Sequence, residues 1–441
     1  MNNKNVNVPY TALIAIDWAD KEHQVCLWAE NHPRSYHILE QNPQAIIEWV
    51  ANLQRDFSGK VAIAVEQTKG PLIYALMGYA FIDLYPINTA TLGRFRSAFS
   101  PSGAKDDKLD VDYLMDILMT HRKHLRVWLA DDETTRSLRI YAEARKGLVH
   151  QIQALINYIR ALLKGYYPQA LALVGELASP MAWAFLSRWP TLSKLGKVKP
   201  MTLRNFYYAH GSRSAKLIDQ RIGLIEKAVP LTTDPTIVET SEQILLHKLN
   251  HIQVLHRSIV AYDKKLKKLF QKHEDAQIFS SFPGAGEALA PRLAAVIGSQ
   301  RDRYENAKNL QQYSGIAPVV RSSGTEKRKA SKLSQRRKKR GSEVVQRRRC
   351  CPKFVLQTFH EFAGCSIPYC PWAKAYFQQQ KDKGASHHQA IRALAFKWQR
   401  IIYRCWKDRQ KYDDNKYLAA LRKRGSTLIP RINLIVQKKC A

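Results

Sequence analysis

Residues 11–19, TALIAIDWA, and residues 61–70, VAIAVEQTKG, decide the fold class of this chain. Each is a short apolar run rich in β-branched residues, the pattern of a buried strand, and each ends on a carboxylate, Asp17 in the first and Glu66 in the second. Working outward, HQVCLWA (23–29) and YHILE (36–40) read as two further short strands. PQAIIEWVANL (43–53) carries Ile46, Ile47, Val50 and Leu53 at helical spacing, and GPLIYALMGYAF opens a helix after Gly70. Two hairpin-like strands followed by alternating helix and strand predict an α/β domain, a mixed sheet with helices on its faces. In open sheets of that kind, residues at the carboxyl ends of the strands face the crevice where ligands bind.

A third acidic motif follows in AKDDKLDVDYL (104–114), the start of a helix expected over 107–123. Asp107 and Asp110 lie three apart and share a helical face, with Asp106 and Asp112 as competing choices. Clustered carboxylates repel one another unless a cation joins them, and together they form the hard-oxygen set that Mg²⁺ prefers. Two such ions ~4 Å apart can activate a nucleophile and stabilise a leaving oxygen in phosphoryl transfer. Taken singly, a strand-end Asp is usually a turn or cap residue, and AKDDKLD could be a solvated helix start. The order strand, strand, helix for the three motifs is the more specific signal. His23 follows Asp17 by six residues and reads as a strand-face histidine without a catalytic role.

The charge balance points the same way. Seventy Lys and Arg against 37 Asp and Glu leave +33, a surface that attracts a phosphate backbone. A membrane-surface or ribosome-associated protein would share that charge but would not explain the clustered acids. The start, MNNKNVNVPY, lacks the apolar stretch of a secretory signal, and no apolar run reaches the roughly 18 residues of a membrane span. Seven cysteines at irregular spacing argue against a disulfide framework, so the expectation is a cytoplasmic protein without a membrane partner.

Beyond residue 130 the chain reads as mostly helical. Asp131, Asp132 and Glu133 sit where a helix N-terminus favours negative charge. After them Tyr141, Leu148, Leu155 and Leu162 recur every seven residues, with Leu138, Ile152 and Ile159 as a partner row broken at Arg145. A second zone repeats the pattern in Leu245, Ile252, Ile259 and Leu266. These heptads pack either as a hairpin within the chain or as a seam between subunits, and the expectation leans to subunit contacts. Residues 166–240, rich in Pro, Trp and Tyr, give no clear pattern.

The composition changes from about residue 276; SSFPGAGEALAPRLAAVIG (280–298) is a Pro-Gly turn feeding an apolar helix, and Gly284-Ala285-Gly286 is compatible with either a phosphate-holding hairpin or a plain helix start. Residues 321–349 hold 13 Lys and Arg. This run precedes the apolar helix CPKFVLQTFHEFA, so it reads as a loop inside a domain, lying against nucleic acid. Arg321, Lys327, Arg328, Lys329, Lys332, Arg336, Arg337, Lys338, Lys339 and Arg340 are its candidate contacts. Further on, SHHQAIRALAFKWQRIIYRCW is an amphipathic helix with Ser386 as N-cap. Cys350, Cys351, Cys365 and Cys370 near His360 lack paired zinc-knuckle spacing, so zinc is discounted.

AIDWA, AVEQTKG and AKDDKLDVD resemble the N-terminal domain of the DEDD transposases, insertion sequence family 110, which includes the Piv-type DNA invertases. FPGAGEALAPRLAAVIG, NLQQYSGIAPVVRSSG and the ALAFKWQRIIYRCW helix resemble that family's second domain, in the same order. The resemblance implies an RNase H-like, RuvC-like fold for residues 1–130, a helical coiled-coil or linker region over 131–275, a mainly helical transposase domain over 276–424 and a tail over 425–441. It implies Asp17, Glu66, Asp107 and Asp110 as a tetrad holding Mg²⁺, as two ions, or Mn²⁺. Ser323, directly before Gly324, is implied as a nucleophile that leaves a phosphoserine link to DNA; Ser322 is its neighbour. The implied partners are element-end and target DNA, a guide RNA encoded by the element, and other copies of the chain in a dimer or tetramer that joins one subunit's serine to another's acids. The implied setting is the bacterial nucleoid. The stretch after Ser323 is more basic than the family pattern. A RuvC-like junction nuclease using water, which has no need of Ser323, and a non-enzymatic nucleic-acid-binding protein are the alternative functions.

Overall fold

The computed structural model describes residues 10–440 apart from Asn31, Thr68, residues 100–106 and residues 323–342. Two compact units divide it, residues 1–131 and 132–441.

The N-terminal unit is built on a mixed sheet of five strands. In chain order its elements are β1 (Ala12–Asp17), β2 (Glu22–Ala29), β3 (Ser35–Glu40), α1 (Pro43–Asp56), β4 (Val61–Val65), α2 (Pro71–Leu76), β5 (Ile82–Pro86), α3 (Thr89–Phe99) and α4 (Asp107–His121). The sheet order is β3-β2-β1-β4-β5. β1 pairs antiparallel with β2 and parallel with β4, and β4 pairs parallel with β5.

β1 and β4 are central, so both of their faces are buried, as the unbroken apolar runs require. Alternate side chains serve two cores. Ile14, Ile16, Ile63 and Val65 pack with Ile46, Val50 and Leu53 of α1 on one face. Leu13, Ala15, Ala62 and Ala64 pack with Val111, Leu114, Met115 and Leu118 of α4 on the other. The alanines on that second face let α4 lie against β1.

Two elements differ from the sequence expectation. The helix after Gly70 stops at Leu76 rather than running to Phe81, and Ile82–Pro86 is a fifth strand. IDLYP is short and interrupted by Asp83, so it carries too little periodicity to register as a strand. The helix α3 was likewise absent from the sequence pattern, because Leu92 alone of its residues is fully buried.

The second unit begins with α5 (Glu133–Tyr166), whose N-cap Asp132 accepts from the Thr135 N–H. Its long partner is α11 (Pro235–Gln271). Between them lie α6 (Gln169–Val174), α7 (Pro180–Arg188), α8 (Leu192–Gly196), α9 (Pro200–Ala209) and α10 (Ala215–Glu226). Tyr141 meets Tyr262 edge-to-face, Arg145 pairs with Asp263, and Lys248 lies over Tyr158, so α5 and α11 run antiparallel. The heptad rows therefore meet within the chain, correcting the leaning towards subunit contacts. Leu245, Ile252, Ile259 and Leu266 are all buried there. The physical reason is length: two helices of 34 and 37 residues bury each other's rows from end to end. The Trp- and Tyr-rich insert folds into five short helices whose Trp183, Phe185, Trp189, Phe206 and Tyr207 share one core with the hairpin.

The remaining elements are α12 (Ala276–Ser280), α13 (Gly286–Ile297), α14 (Ala307–Tyr313), β6 (Val319–Ser322), β7 (Glu343–Gln346), α15 (Lys353–Ser366), α16 (Pro371–Asp382), α17 (His387–Lys407), α18 (Asp414–Lys423) and α19 (Ile429–Cys440). Trp372, Trp398 and Trp406 stand at the centre of their core. Ser386 caps α17 as expected, in a full capping box with Gln389. Gly284 has φ +79°, and a Cβ there would collide with the carbonyl of Cys365. Close backbone packing thus accounts for this glycine without a phosphate. No described helix is long and apolar enough to cross a membrane.

Candidate active site

Asp17 is the last residue of β1, and Glu66 follows the last residue of β4. Ile16 and Val65 are partners in the parallel ladder, and the Glu66 N–H donates to the Ile16 carbonyl across 3.4 Å. The two carboxylates therefore leave neighbouring strands at the same edge of the sheet. Both residues are half-buried.

Asp110 lies in the first turns of α4, the helix packed on β1, and is 1% exposed. Its Oδ2 accepts from Nη2 of Arg96 on α3 at 2.6 Å. Asp107 is the first residue of the same helix; its side chain lies outside the description. Asp112, the competing choice, is committed elsewhere. Its Oδ1 accepts from Arg34 at 3.0 Å and from the Tyr36 hydroxyl at 2.6 Å, while Arg34 also pairs with Asp116 at 2.5 Å. The hydrogen bond to Asp112, together with burial, pushes the Tyr36 phenol up to about 12. These bonds tie α4 to β3 and its approach. Asp106 falls outside the described residues.

His23 has a structural role in the turn after β1. Its Nδ1 accepts from the Ala19 N–H at 3.2 Å, so its Nε2 carries the proton and donates to Gln41 Oε1 at 2.6 Å. Burial holds its pKa below the ordinary value, although the Gln41 bond acts the other way. A neutral, doubly bonded imidazole fixes the chain two residues beyond Asp17.

Among the described residues no three His, Cys, Asp or Glu side chains gather closely enough to hold a metal ion. The Cys370 thiol lies 3.7 Å from Asp414 Oδ1. For the acids at the sheet edge, the donor chemistry suits a hard divalent cation: oxygen ligands on two rigid strands and a packed helix. Arg96 supplies positive charge to Asp110 in this arrangement. Sequence reading missed Arg96, Arg34 and Tyr36, since a polar contact between elements distant in the chain leaves no periodic trace.

Ser323 and most of the basic candidates, Lys327, Arg328, Lys329, Lys332, Arg336, Arg337, Lys338, Lys339 and Arg340, lie outside the described residues. Arg321 is described as backbone only, in β6 opposite Val344. β6 and β7 bracket the basic stretch, with Ser322 opposite Glu343 in the ladder.

Residues 14–168 match the family model of DEDD transposases of the IS110 type, and residues 276–378 match the transposase family IS116/IS110/IS902. The chain is 26% identical over 420 residues to the mini-circle protein for IS117 of Streptomyces coelicolor, covering 93% of this chain and 97% of the relative. It is 25% identical over 368 residues to the 42 kDa protein of insertion element IS900 from Mycobacterium paratuberculosis, with 80% and 84% covered. With the 43.6 kDa protein of insertion element IS110 from Streptomyces coelicolor, identity is 23% over 318 residues, with 71% and 73% covered. The class is that of the transposases, DNA-processing enzymes of insertion sequences. Within it, this chain belongs to the IS110 family of DEDD transposases.

Proposed function

We propose that this transposase cuts and rejoins the DNA of its insertion sequence through a serine–phosphate link, with Asp17, Glu66, Asp107 and Asp110 as its metal-holding acids and Ser323 as its nucleophile. The observation that carries the reading is the hydrogen bond from Glu66 to Ile16, which sets two strand-end carboxylates side by side beneath the helix bearing Asp110. A RuvC-like, RNase H-like relationship for residues 1–130 accords with the order of strands and acids. The division of the rest into a helical region over 131–275, a serine-bearing domain over 276–424 and a tail is part of the same proposal.

One or two Mg²⁺ ions, or Mn²⁺, held by these acids would neutralise charge on the scissile phosphate and favour a deprotonated nucleophile. Serine is a weak nucleophile at its free pKa, which is why it needs such a setting. The Ser323 Oγ–P bond forms as the bond from phosphorus to a deoxyribose oxygen breaks, and the serine proton passes to that departing oxygen. Reversal by a new deoxyribose hydroxyl restores the serine and joins the strands without ATP. The Lys and Arg of residues 321–349 hold backbone phosphates. An element-encoded guide RNA selects the sites, and a dimer or tetramer brings one subunit's Ser323 to another's acids.

The test is covalent trapping with Mg²⁺, labelled element-end DNA and RNA from the element's flank. A labelled adduct lost in Ser323→Ala supports the reading. Cutting without an adduct, undiminished in Ser323→Ala and lost in Asp17→Ala, would replace it with a water-using nuclease.

A further inference from the structure

The helix α17 is amphipathic, and Trp398, Ile402 and Trp406 form its buried row. Its other flank, Lys397, Arg400, Ile401, Arg404 and Asp408, borders a cavity of about 720 Å³ whose far wall is α18. Arg409, with φ +54°, ends α17 and reverses the chain towards α18. Ile401, Cys405, Tyr412, Tyr417 and Leu421 make the floor. Tyr417 is backed by Trp372 at 4.8 Å between ring centres, and Tyr412 by Trp398 at 5.3 Å.

The cavity is lined by six Lys and Arg against two Asp. Arg400 and Arg424 form no ion pair among the described residues. Burial pushes the Tyr417 phenol up to about 12, while Arg424 and Arg400 act the other way. Lys397 lies 4.3 Å from the centre of the Tyr376 ring. Burial, with Arg400 adding to it, pushes the Lys397 pKa down. Of the two acids at the cavity, Asp413 caps α18 and Asp408 pairs with Arg404 at 3.4 Å.

We propose that this groove binds an unpaired DNA strand, with one or two bases against the aromatic floor and their phosphates on Arg400, Arg404 and Arg424. A phosphodiester supplies the charge the rim lacks, and a stacking floor accepts any base. A cavity of this size is that of a small-molecule pocket, and a duplex keeps its bases stacked away from such a floor. The choice of DNA over RNA rests on the reading of this chain as a DNA-cutting enzyme.

The experiment uses the full chain in EDTA, where no strand is cut, so its outcome is separate from that of adduct formation. The probes are labelled oligodeoxythymidylate about twelve nucleotides long, a duplex of equal length and oligouridylate. Arg400→Gln with Arg424→Gln should weaken oligodeoxythymidylate binding about tenfold. The salt slope should shrink by roughly 1.4, at about 0.7 per lost contact to a single strand. Ala420→Trp, which fills the groove from the exposed side of α18, should give a similar loss and leave the duplex within twofold. Unchanged single-strand affinity and slope in both variants would overturn the proposal, as would an equal loss on the duplex. Loss of oligouridylate binding alone would assign the groove to RNA and overturn it too. Thermal melts matching the parent chain identify the variants that remain folded.

Discussion

Arg96 on α3 and Asp110 on α4 form an ion pair across 2.6 Å, with the Asp110 side chain 2% and the Arg96 side chain 21% exposed. In this pair the buried carboxylate holds α3 to α4. Removing it leaves a guanidinium without its counter-charge, which costs about 3 kcal/mol at a buried site. Asp110→Ala should therefore lower the unfolding free energy measured in urea by roughly 2–3 kcal/mol, the lower figure reflecting the partial exposure of Arg96. Asp110→Asn, which keeps an acceptor, should lose less stability, and is the variant to use in cleavage assays.

Asp17 and Glu66 sit at the open end of the sheet, so their loss should spare the fold. Asp17→Asn and Glu66→Gln are expected to reduce DNA cutting by at least about a hundredfold while leaving DNA affinity within a few-fold. Chelation should abolish cutting by the parent chain, and added Mg²⁺ should restore it. Cutting by the variants at the parent rate would remove these acids from the chemistry.

The seam between α5 and α11 makes a different prediction. Ile252 is fully buried within the chain and Ile259 is 8% exposed. Ile252→Ala should cost about 3 kcal/mol, and Ile259→Ala somewhat less. Light scattering should give the same mass for both variants as for the parent. A variant that dissociates while keeping its melting temperature would mean that these rows join subunits.

At the base of that hairpin, His273 Nδ1 accepts from the Asp275 N–H at 3.0 Å, and Nε2 donates to Thr135 Oγ1 at 2.9 Å. Thr135 Oγ1 in turn donates to Asp132 Oδ2 at 2.5 Å. Burial pushes the His273 pKa below its ordinary value; Asp275, Asp132 and Glu274 pull it up, and Arg301 pushes it down. Because the folded pKa is the lower one, the unfolded chain takes up the proton first as pH falls. The contribution to stability is complete above the unfolded value of about 6.5 and is lost below it. Urea midpoints at pH 5 and pH 7.5 should differ, and His273→Gln should narrow that difference. An unaltered difference would exclude His273 as a source of acid sensitivity.

What could be read from the chain alone follows from where periodicity is strong. β1 and β4 are unbroken apolar runs because both of their faces are covered, and α17 announces itself through Ser386 and its apolar stripe. β5 is too short and too polar to do so, and the short helices between Gly175 and Pro235 depend on aromatic packing that no local pattern encodes. A heptad identifies a seam without naming its partner, so the pairing of α5 with α11 became visible only in three dimensions. The acids at the sheet edge were legible as motifs. Their neighbours were not, because Arg96 meets Asp110 from a different helix.

The α5–α11 hairpin is also a measuring rod. Thirty-four residues of α5 at about 1.5 Å each make an arm roughly 50 Å long. One residue inserted into α11 ahead of Ile252 would turn every later side chain of that helix by about 100° and swing Ile252 and Ile259 off the seam. The arm can grow or shrink only when both helices change together by about seven residues, in steps of some 10 Å. Its length is thus quantised: drift that alters loops one residue at a time cannot tune it.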